Sequence, residues 1–242
     1  MTPEVRVWRR LIGLTIFAVS MGFLETAVVV YLREILYPGG FRFPLVPISH
    51  KLATVELFRE AATLFMLISV GWITGRTRFE KFILFLYAFA IWDIFYYIFL
   101  KLILNWPDSL VTWDILFLIP VTWTGPVLAP LISCLNMIIL AFATVHLINI
   151  KAKVTLNKAE WSLLIAGACL QFLAFVWDYS RFILQSYSPG ELWNLHGNKA
   201  LYALSKQYIP LSFNWTVFLL GELFIMATIF LFYRRNLKKF DK

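Results

Sequence analysis

Six stretches of this chain are each long and apolar enough to cross a bilayer: about residues 10–36, 54–75, 80–103, 127–149, 159–185 and 209–233. A hydrocarbon core about 30 Å thick takes roughly 20 residues of helix. A backbone in lipid must satisfy its own hydrogen bonds, so each stretch is expected to be a helix and the fold an all-α bundle. The chain is 60% hydrophobic and 18% aromatic, with a mean hydropathy of +0.74, well outside the range of soluble domains. Nothing between the spans is long enough for a soluble domain, so 1–242 is expected to form a single transmembrane domain whose main partner is the lipid bilayer. The opening RVWRR followed by LIGLTIFAVSMGFL imitates a signal peptide. Its apolar run continues past Glu25 to Leu36 without a small-x-small cleavage site, which predicts a retained signal-anchor helix.

The formal charge of +8 raises the question of nucleic acid, and the distribution of that charge answers it. Fourteen of the 22 basic residues fall on one side of the expected spans: Arg6, Arg9, Arg10, Arg76, Arg78, Lys81, Lys151, Lys153, Lys158, Arg234, Arg235, Lys238, Lys239 and Lys242. The opposite loops hold only Arg42, Lys51, Lys199 and Lys206. The positive-inside rule therefore predicts cytoplasmic termini, and the basic residues read as topological flanks with no role in binding nucleic acid. Cys134 and Cys169 sit inside apolar runs and read as small core residues, not as a disulfide or metal pair.

Between the third and fourth spans lies NWPDSLVTWDILFLIPVTWTGPVLAP. Residues 109–119 have a helical composition after Pro107, with Asp108 or Ser109 as a cap, but are too short to cross. Pro120, Gly125, Pro126 and Pro130 then break the chain. A short interfacial helix is expected here, with Trp106, Trp113 and Trp123 at the interface; a re-entrant half-helix is the alternative. The loop YPGGFRFPLVPISHK is apolar as well as rich in Pro and Gly, so it is expected to pack onto the bundle.

Eleven ionisable residues fall within or at the rim of the spans: Glu25, Arg33, Glu34, Glu56, Arg59, Glu60, Asp93, Lys101, Asp178, Arg181 and Glu222. Each costs at least about 2.5 kcal/mol at bilayer depth on insertion scales, so each is expected to face the bundle interior. Counted at 1.5 Å per residue, nearly all lie roughly 18–30 Å from the basic flank, in the outer half of the membrane. The inner half has little besides His146, which reads as an interfacial or hydrogen-bonded residue. Helical spacing aligns Glu56, Arg59, Glu60 and Thr63 on one face of the second span. It aligns Asp93, Tyr96, Tyr97 and Lys101 on the third, Asp178, Arg181 and Gln185 on the fifth, Glu25 with Arg33 on the first, and Asn214 with Glu222 on the sixth. The expectation is an outward-facing charged cavity with Glu25, Glu56, Arg59, Glu60, Asp93, Lys101, Asp178, Arg181 and Glu222 as ligand-binding residues. The competing reading is that these charges only glue helices together, at about 0.6–2 kcal/mol per polar contact.

Catalytic signatures are missing: no His-Glu-x-x-His, Gly-x-Ser-x-Gly, phosphate-cradling glycine loop or CxxC pair occurs. Haem between helices needs two intramembrane histidines, whereas His50 and His196 fall in outer loops, so no cofactor and no metal is expected. The sequon at Asn214 reads as incidental. AFAIWDIFYY and LAFVWDYSRF place Asp93 and Asp178 alike after tryptophan. If they repeat, the third and fifth spans are related in parallel, which does not suggest the inverted repeats of many transporters.

REAATLFML in the second span, WDIFYYIFLK in the third and WPDSLVTWDILFLIPVTWTGPVLAP after it resemble a family of bacterial six-helix integral membrane proteins that has no assigned activity. The resemblance covers roughly residues 20–135; it implies a bacterial inner-membrane location and transfers no site residues. The expected function is binding, and in its fuller form transport, of a small polar or ionic solute. Two alternatives stand beside it. One is a non-catalytic subunit or assembly factor, with a membrane-protein partner or a second copy as its neighbour. The other is an extracytoplasm-facing enzyme acting on a lipid-linked substrate.

Overall fold

A computed structural model of the chain describes residues 3–46, 48–150, 154–190 and 199–238. Lys151, Lys153, His196, Lys239 and Lys242, which enter the charge and histidine arguments above, lie outside the described residues. Among the described residues, six helices are long and apolar enough to cross a membrane. They are α1 (Pro3–Leu36), α2 (His50–Thr74), α3 (Arg78–Leu104), α4 (Leu128–Ile150), α5 (Lys158–Leu184) and, after a short α6 (Lys199–Ser205), α7 (Trp215–Lys238).

The helix starts follow from short polar side chains that take up the free amides of a first turn. Ser49 accepts the Leu52 amide at the start of α2, and Thr77 accepts that of Glu80 at the start of α3. Asn157 and Glu160 form a reciprocal capping box on α5. The last span begins six residues later than hydropathy suggests. Asp178 draws the amides of Leu211 and Ser212 to its carboxylate at 3.0 and 3.3 Å, holding that backbone out of a helix until Asn214 caps α7 through the Val217 amide.

The bundle has two unlike ends. At the end that carries the start of α1 and the close of α7, Arg10 pairs with Glu80 at 2.9 Å, and Arg235 with Glu160 at 2.7 Å. Phe79, Trp161 and Phe232 meet edge to face just inside. Above them Leu14, Ala18, Leu67, Ile83, Ala88 and Leu140 pack into an apolar core that fills this half. His146 lies here too, its ring 6.0 Å from that of Tyr233. Within the bundle α3 is the centre, packed against α1, α2 and α4, while α5 pairs most closely with α7. That last approach depends on glycine: a Cβ on Gly167 would fall 2.8 Å from the Gly221 carbonyl oxygen, and one on Gly221 equally close to that of Gly167.

The opposite end departs from the sequence expectation. Residues 109–119 form neither an interfacial nor a re-entrant helix; they supply β1 (Trp113–Phe117), paired antiparallel with β2 (Trp123–Pro126). The physical reason is that an eleven-residue helix is marginal alone, whereas Trp, Ile, Phe, Thr and Val suit a pleated, half-buried strand. Pairing with β2 also satisfies backbone that would otherwise be orphaned. The hairpin crosses the bundle. Asp114 reaches Arg33 of α1 and Tyr97 of α3, Leu118 reaches Glu60 of α2, and the Trp123 ring stacks on Phe175 of α5 at 5.8 Å.

Candidate functional site

A cavity of about 280 Å³ opens at the hairpin end. Helices α1, α2 and α3 form most of its walls with Tyr179 of α5, residues 37–46, Ile48 and the hairpin enclose it, and residues 205–208 close one side. Spacing along each helix places the side chains. On α2, Glu56, Arg59, Glu60 and Thr63 stand at i, i+3, i+4 and i+7 and all line the space. On α3 the same geometry presents Trp92, Asp93, Tyr96 and Tyr97, and on α1 Glu25 and Arg33.

At the centre the Arg59 guanidinium bridges two helices. Its Nε donates to Glu56 at 3.0 Å, and its Nη1 pairs with Glu25 of α1. Thr63 donates to the other Glu25 oxygen at 3.4 Å. The remaining two acids lack a base. Glu60, 8% exposed, accepts the Leu118 amide at 2.9 Å, and Asp93 accepts the Cys134 thiol at 3.3 Å; neither forms an ion pair among the described residues.

Four of the nine expected residues lie elsewhere. Lys101 is exposed and donates to the carbonyls of Asn105 and Pro107, closing the C-terminus of α3. Asp178 is buried behind the cavity wall, where Tyr208 donates to it at 2.7 Å and the Leu211 and Ser212 amides complete its shell, so its role is to staple the segment before α7. Arg181 is exposed. Glu222 is sealed between α4, α5 and α7, accepting from the Asn136 and Gln171 side-chain amides. The cavity with charged faces from five helices is therefore corrected to one with charged faces from three, α5 adding only Tyr179, because α5 and α7 spend their acids on their own packing.

Sequence reasoning missed one group. Arg33 pairs with Asp114 at 3.3 Å, and Tyr97 donates to the other Asp114 oxygen at 3.2 Å. The guanidinium also lies over the Trp106 ring, 3.7 Å from its centroid, and over Phe41 at 4.5 Å. Asp114 was hidden inside the expected helix, although Arg33, two turns beyond Glu25 on the same face of α1, needed an acid that no neighbouring span offers. Burial pushes the Asp114 carboxyl up to about 6, against the opposing pull of Arg33. Burial likewise raises the phenols of Tyr37 and Tyr208 above their ordinary value.

The Asp114 shift has a sign that can be measured. Its folded value lies above the 3.8 of an exposed aspartate, so the stability it contributes is present below 3.8 and is lost as pH rises through about 6. Amide exchange of residues 113–117, corrected for intrinsic rate, is expected to quicken between pH 5 and pH 7.5. In Asp114→Asn that quickening should vanish. A corrected rate that stays flat over this range would show that the Arg33 pair outweighs burial.

Compared with protein-family models, curated proteins and solved structures, the chain matches none of them. What the site does must therefore be argued from its own inventory. Among the described residues, five carboxylates (Glu25, Glu56, Glu60, Asp93, Asp114) face three bases (Arg33, Arg59, Lys206), an excess of two negative charges when all are ionised. Arg59 is shared by two acids and Arg33 is taken by Asp114. Trp92, which lines the cavity, also belongs to the apolar core of the other half.

Proposed function

We propose that the protein is a multi-pass inner-membrane protein whose cavity faces the extracytoplasmic side and binds a small polar or ionic solute. The orientation follows from the basic flanks, which put both termini in the cytoplasm, and the bacterial membrane from the resemblance of residues 20–135. The observation that carries the reading is that Glu60 and Asp93, both without a base, line an open space. Charges kept only to fix helix packing would each be closed on a partner, as Glu160 is on Arg235 and Glu80 on Arg10. Binding is favoured over passage, since a route to the cytosol would have to part the packed core around Leu14, Leu67 and Leu140. Lys206 and Tyr37 at the loop side give a solute a polar entrance.

The test is one of access. In a Cys169→Ala background, Ser205→Cys at the loop side and Val29→Cys on the cavity wall are expected to react with a small membrane-impermeant thiol reagent. The reagent should act when added to the extracytoplasmic face of oriented vesicles and not from the other face. If Ser205→Cys reacts while Val29→Cys is protected from both faces, the space is closed and the charges are packing alone.

A further inference from the structure

Resting on that reading, we propose that the solute is a small organic cation: an ammonium group on a short apolar body that also carries an oxygen acceptor. Three independent features converge on it.

The first is charge. An anion entering the cavity would meet five carboxylates, and none of the three bases is free to receive it: Arg59 is engaged by Glu25 and Glu56, Arg33 by Asp114, and Lys206 also has a partner. An ammonium group instead supplies what Asp93 and Glu60 lack. Both carboxylates can accept from it without giving up their present donors, because a carboxylate has about four lone-pair sites and each uses one.

The second is the lining. Most of it is carbon, from Val29, Leu32 and Leu116 and from the aromatic residues Trp92, Phe41 and Tyr96. Aromatic faces attract alkylammonium ions, whereas a bare metal ion would leave this surface unused and calls for a shell of six or more oxygens for calcium or magnesium. The volume, about 280 Å³, lies just under the range of roughly 300–1,000 Å³ that holds drug-sized ligands, so the body is short.

The third is a pair of donors without acceptors. Arg33 Nη1 and Trp92 Nε1 are buried and make no hydrogen bond; both residues line the cavity, 7% and 4% exposed. Buried donors are normally satisfied. An oxygen on the solute a few atoms from its nitrogen would serve one of them while the ammonium group sits against Asp93.

The experiment uses the full chain in detergent or nanodiscs, with thermal stability and calorimetry read against ammonium compounds graded from ethanolamine to phenylalaninol. Each is matched by a carboxylate of the same skeleton. At least one ammonium compound is expected to bind saturably while its carboxylate partner does not. Asp93→Asn should weaken that binding at least tenfold, and Glu60→Gln, which keeps the acceptor for Leu118, severalfold. Having two near-isosteric variants guards against one that fails to fold. Stabilisation by the carboxylates instead would overturn the cation assignment and leave the binding cavity standing. Binding by no compound while Val29→Cys still labels also overturns the assignment; the same result with Val29→Cys protected removes the cavity reading beneath it.

Discussion

Replacing Arg59 with alanine is expected to destabilise the protein by about 3–5 kcal/mol, the cost of removing one partner from a buried ion pair. The side chain is only 20% exposed, and its acids Glu25 and Glu56 are 12% and 17% exposed, so little solvent is available to take over its work. Two further points push the effect toward the upper end. Arg59 joins α2 to α1, two helices held together mainly through α3. Its loss also leaves five carboxylates facing two bases in one cavity. At about 2–4 °C per kcal/mol for a chain of this size, melting should fall by roughly 6–20 °C. Adding Glu25→Gln and Glu56→Gln to the alanine variant should restore most of the loss, since the damage is stranded charge and not missing volume. A drop of under 1 kcal/mol would mean that water already screens the trio, and the low-dielectric picture of the cavity would have to be abandoned.

A second large effect is expected from Gly221→Leu. Even the first carbon of the new side chain would lie 2.8 Å from the Gly167 carbonyl oxygen, which is backbone and has nowhere to retreat. Overpacking of this kind costs about 1–3 kcal/mol and occasionally more. Here the upper end applies, because parting α5 from α7 also pulls Glu222 away from Asn136 on α4 and Gln171 on α5. Gly13→Leu is the control: nothing beyond its own helical turn lies within 4 Å of its Cβ position, and stability should hardly change. Equal melting of the two variants would contradict the close crossing of α5 and α7.

The six helices were legible because lipid imposes one rule on every stretch that crosses it, and hydropathy reads that rule directly. The α2 face was legible for a related reason: charges in such a helix must share a side, and 3.6-residue spacing names the side. The hairpin was not. Its strands gain their hydrogen bonds from each other, across a turn, and the run from Trp113 to Phe117 has no local signal that separates it from a short apolar helix. Asp114 went unseen with it. Asp178 and Glu222 were misplaced for another reason. Depth along a helix can be counted from sequence, but which neighbour a helix turns toward depends on packing, and both acids turn to Tyr208 or to amides of adjacent helices.

The position of the hairpin has a bearing on how a ribosome and an insertion machine would build this molecule. Residues 113–126 emerge before α5, yet Trp123 rests on Phe175, and Thr124 shares a hydrogen bond of 2.9 Å with Tyr208. The hairpin can meet α1, α2 and α3 as soon as it is made, but its contacts to α5 and Tyr208 must wait while eighty-odd further residues are made and the fifth helix is inserted. The charged walls supplied by α1, α2 and α3 are made long before the side formed by residues 205–208. During synthesis the cavity thus stays open on that side, and it takes its final shape only when the C-terminal third of the chain joins the rest.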